Sequence, residues 1–160
     1  MKNITTLVLL LGVAISQAFG RHGPIEVTLK SADAIAHVRV ISVCEDLKGA
    51  LVTRRATLSI VGKSHGLKDA MPLEVPFGRP SKVGSYSFSF DSPIFHIGQV
   101  CIVIMRFDGD QPCVLRQIYL SDDGKIEEPK VFRSVGFDCG AEADFAVDCL
   151  VAAMKKKLNQ

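Results

Sequence analysis

The chain has no tryptophan and only 2 tyrosines among its 160 residues. It contains no CxxC pair, no HxxxH pair and no GxSxG elbow. These absences remove the local signatures of a zinc site and of a hydrolase nucleophile. There is no internal repeat, no low-complexity tract and no Pro/Gly-rich linker. One-sided charge is also missing: 19 Lys and Arg stand against 17 Asp and Glu, a net of +2. Bulk charge therefore gives no reason to expect nucleic acid or an acidic membrane as partner. What is present is an ordinary globular mixture, 48% hydrophobic and 22% charged. That is too apolar for intrinsic disorder, and the length suits one domain.

The first residues read as an address. Lys2 precedes an apolar run from Ile4 to Ile15, and Ser16-Gln17-Ala18 then places small residues at −3 and −1 of a cleavage site. This is the layout of a secretory signal peptide over residues 1–18, cut after Ala18 or Gly20. The run is short of the about 20 residues that a membrane span needs, and nothing later approaches it. The expected product is an exported chain, periplasmic or extracellular, with no stable membrane span after cleavage and one domain over 19–160. Removing Lys2 leaves 18 basic against 17 acidic residues.

Export places Cys44, Cys101, Cys113, Cys139 and Cys149 in an oxidising compartment, so all five are candidates for disulfides. Two bridges would leave one cysteine over, inert or intermolecular.

The body alternates with a period of two, which argues for half-buried strands. Ala34–Cys44 is apolar and β-branched, with His37 and Arg39 on the side of Ile35. Over Thr53–Val61, Ala56 and Leu58 share a face opposite Thr57 and Ser59. Leu73, Val75 and Phe77 alternate with Glu74 and Pro76, and the proline favours an edge. Tyr86, Phe88 and Phe90 alternate with serines. Val100–Phe107 is apolar on both faces and reads as central. Asp108–Pro112 is a turn leading to a return strand over Val114–Leu120. Asp122-Asp123-Gly124 is a second turn, and Val131–Val135 a last short strand. If Asp110 centres the hairpin, Phe107 faces Cys113, and Cys101 lies about 20 Å along the strand from that point. A bridge needs Cα atoms within about 7 Å, which argues against Cys101–Cys113.

From about residue 141 to 158 the period becomes helical. Ala143, Val147, Leu150, Val151, Met154 and Leu158 form one apolar stripe. Phe145, Cys149 and Ala152 form a second, almost opposite, which offers self-association as a homodimer. Asp144, Asp148 and Lys155 form a polar line. The expected fold is mainly β, a small antiparallel OB-like barrel or sandwich of about six strands with one C-terminal helix.

The segments SADAIAHVRVISV, ATLSIVGKSHG and FHIGQVCIVIMRF, within Ser31–Leu120, resemble the first strand, second strand and central strand of secreted OB-fold domains of the netrin-like, metalloproteinase-inhibitor-like type. The resemblance implies a fold. It does not imply inhibition, because those inhibitors reach a metal with a cysteine at the mature N-terminus, and the first cysteine here is Cys44.

Motif chemistry is sparse. Gly62-Lys63-Ser64 imitates the end of a phosphate loop, but position 57 is Thr where that motif needs Gly. His22, His37, His65 and His96 have no ligand spacing, so no metal and no cofactor is expected. Asp108, Asp110, Asp122 and Asp123 lack the spacing of a calcium loop and suit turns. Lys63, His65, Lys68, Arg79 and Lys82 form a candidate lip for an anionic ligand. Tyr86, Phe88 and Phe90 suit a core stripe better than a stacking platform. No catalytic residue is assigned. The function expected is an exported, non-enzymatic binding or interaction module for a protein or glycan. The alternatives are a small extracytoplasmic enzyme, hydrolase or thiol-dependent, with a site built from distant residues, or a self-associating envelope structural protein.

Overall fold

Alternating β-branched segments can bury one face only by pairing side by side, and the chain does so in one antiparallel sheet. The computed structural model describes residues 24–67, 72–82, 93–127 and 132–158. A short helix α1 (Ile25–Lys30) precedes β1 (Ala34–Lys48), β2 (Leu51–His65), β3 (Leu73–Lys82), β4 (Val100–Asp108) and β5 (Gln111–Tyr119). A 3-10 turn (Arg133–Val135) and helix α2 (Ala143–Leu158) complete the described chain. The strand order is β3-β2-β1-β4-β5. β3 is an edge strand, as Pro76 requires.

Among the described residues this is an open sheet of five strands with a C-terminal helix, where a small barrel or sandwich of about six strands was expected. The edges β3 and β5 approach one another, but no hydrogen-bonded ladder joins them among the described residues. The expected strand at Val131–Val135 is instead the 3-10 turn over Arg133–Val135. Gly136 ends it at φ 101°, and Phe132 and Phe137 stack across it at 4.9 Å. Tight closure brings two aromatic rings together where an extended segment would hold them apart. Tyr86, Phe88 and Phe90 lie outside the described residues.

The two faces of the sheet bury separate clusters. Ala34, Ala36, Val38 and Val40 point inward with Ala56, Leu58, Val75, Cys101, Val103 and Met105, and Phe95 joins them. Ile35, Ile102, Ile104 and Ile118 face the other way, against Ile25 and Leu29 of α1 and Ala146, Val147, Leu150 and Met154 of α2. β4 contributes alternately to both clusters, which explains its unbroken apolar run. The second stripe of α2 stays outside: Phe145 is 53% exposed, and Ala152 is exposed as well.

The β4–β5 hairpin closes with Asp108 opposite Gln111. Cys113 therefore faces Arg106, one position from expectation, and Cys101 faces Tyr119. The six positions from Cys113 to Tyr119 span about 20 Å, far beyond bridging reach. All five cysteines are free thiols in this structure.

Two bulges in β1–β2 place the site. Ala36 pairs with Ser64 and Val38 with Ile60, so Val61, Gly62 and Lys63 all stand opposite His37. Val40 pairs with Leu58 and Ser42 with Thr57, which turns Ile41 out of the ladder. Among the described residues no helix is long and apolar enough to cross a membrane.

Candidate functional site

β1 carries Ile35, His37 and Arg39 on one face. Ile35 is covered by the helices, His37 stands at the edge of that cover against Asp144 of α2, and Arg39 is exposed beyond it. His37 and Arg39 line an open cleft of about 600 Å³ whose other walls are Val61 of the bulge, Gly98–Val100 before and at the start of β4, and Leu120–Gly124 after β5. That volume falls in the range of small-molecule sites, roughly 300–1,000 Å³.

Three distant pieces of chain meet behind the cleft. Asp144, in the first turn of α2, accepts hydrogen bonds from the Lys63 backbone N–H and from His37 Nδ1, both at 2.9 Å. The Lys63 bond first and the His37 bond second hold the Asp144 carboxyl below the usual carboxylate range. An ionised carboxylate only accepts, so Nδ1 carries the proton. One helical turn later, Asp148 pairs with Lys63 Nζ. That pairing raises the Lys63 ammonium above its ordinary value. Gly62 permits the junction: a side-chain carbon there would overlap both His37 Nδ1 and Asp144 Oδ1. The residue is glycine because an imidazole and a carboxylate already fill that space.

His37 Nε2 is closed off from solvent and has no hydrogen-bond partner among the described residues. Among the described residues no hydroxyl or thiol bonds to it.

The remaining cleft groups are held in place by turns. Gln117, buried on β5, accepts from the Ile94 N–H at 3.1 Å and donates to Gln99 Oε1 at 3.3 Å. Gln99 Oε1 also accepts from the His96 N–H at 3.2 Å. The Gln99 oxygen is thus engaged, and its amide nitrogen has no hydrogen-bond partner among the described residues. Across the cleft, Gly124 N–H donates to Ser121 O at 2.9 Å, closing a tight turn with Gly124 at φ 78°. Ser121 Oγ bonds Asp123, which holds that carboxyl low, and Lys125 pairs with Asp123 at 3.5 Å. Asp122 and Arg39 are exposed and form no ion pair among the described residues.

Of the basic lip read from the sequence, the described members Lys63 and His65 stand apart from Lys82. Lys82 pairs opposite Leu51, whereas Lys63 and His65 sit at the other end of β2. The twelve positions from Leu51 to Lys63 are about 40 Å of extended strand. Lys63 is already held by Asp148. Lys68 lies outside the described residues, as does the side chain of Arg79. His65 faces Ile35, and His96 contributes a backbone bond to the loop ahead of β4. Asp108 closes the β4–β5 ladder and Asp110 lies in its turn. His22 lies outside the described residues. Among the described residues no group of three His, Cys, Asp or Glu could hold a metal.

The thiols are dispersed. Burial pushes the Cys101 thiol up to about 11, opposed by a hydrogen bond from Gln117 at 3.6 Å. Burial first, then Asp148, raises Cys149. Cys44 and Cys139 are exposed. Sequence reasoning missed Asp144, Gly62 and Gln99. A signal for the first was available in the acids four apart on α2, Asp144 and Asp148, which form the polar line now seen against Lys63.

Neither a family model, nor a curated protein, nor a solved structure matches the chain.

Proposed function

We propose that the protein is an exported, non-enzymatic binding module whose recognition site is the cleft beside His37 and Arg39. The observation that carries this reading is the state of His37. Its Nδ1 is committed to Asp144 and its Nε2 is shut away from solvent without a partner. A general base must reach the proton that it takes. Here the imidazole acts instead as a pin between β1, the β2 bulge and α2. The groups that do reach the opening, Arg39, Gln99 and Asp122, are suited to hydrogen bonding and charge pairing rather than to attack.

The test has two arms. Purified protein is offered a panel of chromogenic esters and phosphoesters. Any background hydrolysis should be the same in wild type and His37→Gln; a rate abolished by that change would establish an enzyme. Amide shifts are recorded in parallel against a soluble ligand library and should cluster at Gly98, Gln99 and Ser121–Gly124. Export is checked by the mass of the recovered chain, which should begin after Ala18 or Gly20.

The same proposal carries a finer view of the fold. The approach of β3 to β5 supports an OB-like closure of the sheet. A second reading, self-association through α2, is favoured by the exposure of Phe145.

A further inference from the structure

Resting on the reading of the cleft as a recognition site, we infer that its ligand is a small zwitterion, a free amino acid or short peptide with a carboxylate at one end and an ammonium at the other. The argument comes from which polar groups are already spent. Asp144 is satisfied by His37 and Lys63, Lys63 by Asp148, and Asp123 by Ser121 and Lys125. Among the described residues lining the cleft, this leaves one cation without an ion pair, Arg39, and one such carboxylate, Asp122. They stand on different walls: Arg39 on β1, and Asp122 in the turn after β5.

The Gln99 amide nitrogen adds donors on the adjoining wall, just ahead of Val100, which pairs with Arg39 in the ladder. Its orientation is fixed, because its oxygen is held by the His96 N–H and by Gln117 Nε2. A guanidinium beside an amide N–H₂ suits a carboxylate, which accepts several hydrogen bonds at once. Asp122 suits an ammonium. A multiply charged anion would meet Asp122 and Asp123 across the cleft. A neutral polyol would leave both opposed charges unanswered. Each charge is matched only by a ligand that carries both signs.

The probe is L-Ala-L-Ala, titrated into isotope-labelled full-length protein and followed by backbone amide shifts. Its comparators are N-acetyl-L-Ala-L-Ala, which lacks the ammonium, L-Ala-L-Ala-amide, which lacks the carboxylate, and sucrose, which lacks both. The free dipeptide should move Gly98, Gln99 and Ser121–Gly124. Each capped form should bind about tenfold more weakly or worse, since each loses a charge-assisted contact. Arg39→Gln should remove the penalty for amidation but keep that for acetylation, and Asp122→Asn should do the reverse. Both positions are exposed, so neither change should disturb folding, and the unchanged amide spectrum elsewhere verifies it. Capped and free peptides binding alike would overturn the inference. Cleft shifts with sucrose and none with the dipeptide would overturn the ligand class and leave the recognition site standing. No shift in the cleft with any probe here, or with the wider library, would overturn both.

Discussion

The two faces of β1 belong to one strand but are buried by different means. Inward, Ala34, Ala36, Val38 and Val40 meet residues of the same sheet, together with Phe95. Outward, Ile35 is covered by the helices, and the next two positions on that face are His37, held by Asp144 of α2, and the exposed Arg39. Each step along a face is about 6.6 Å. Within two steps the outward face passes from core to pinned histidine to open cleft. The inner face stays apolar from Ala34 to Val40. A face covered by a separate element ends where that element ends, and the border is where polar groups gather.

The largest expected effects test whether the two faces are equally essential. Ile104 and Met105 are neighbours on β4, both fully buried, one facing the helices and the other the inner cluster. Truncating either to Ala should destabilise by about 2–5 kcal/mol in urea unfolding. A small loss at Ile104 alone would mean that the helix layer contributes little. Next comes Gly62→Ala, which crowds His37 and Asp144 and should cost about 1–3 kcal/mol. Exchange of the α2 amides should quicken more than that of β4.

Asp144→Asn should cost about 1 kcal/mol at neutral pH. Because the folded carboxyl lies below its ordinary value, its stabilisation is complete above the unfolded value of about 3.9 and fades as pH falls through the folded one. Wild type and variant should therefore converge in stability below about pH 4. A constant gap down to pH 2 would show that the carboxylate charge is irrelevant. The smallest effect is expected at Phe145→Asp, within about 0.5 kcal/mol because the side chain is exposed. A fall in mass by light scattering for that variant would place self-association on this face. Thiol labelling separates the faces without mutation: at pH 8, Cys44 and Cys139 should react first and Cys101 last, since the thiolate is the reactive form.

Much of the architecture was legible because its cause is local. Alternation over Ala34–Cys44 and Thr53–Val61 marks strands, Pro76 marks an edge, and the change to helical spacing after residue 141 marks α2. The site was less legible because its causes are not local. Nothing in Gly62-Lys63-Ser64 by itself reveals a bulge opposite His37, since the extra residues show only against the register of β1. Asp144 reads as a favourable charge in the first turn of a helix, and only the docking of that helix gives it His37 as a partner. Within the basic lip, the proximity in sequence of Lys63 and Lys82 is undone by the length of the strands joining them. Arg133–Val135 was misread as extended because the ring stacking of Phe132 on Phe137 is invisible to periodicity.

The widening of β2 at Val61–Lys63 also sets two interests of the fold against each other. A regular ladder would spend the Lys63 amide on its neighbour strand, whereas the irregular one lends it to the helix. Removing two residues there would mend the hairpin and cast the helix adrift, so the seam that looks like a flaw in the sheet is the mooring of the layer above it.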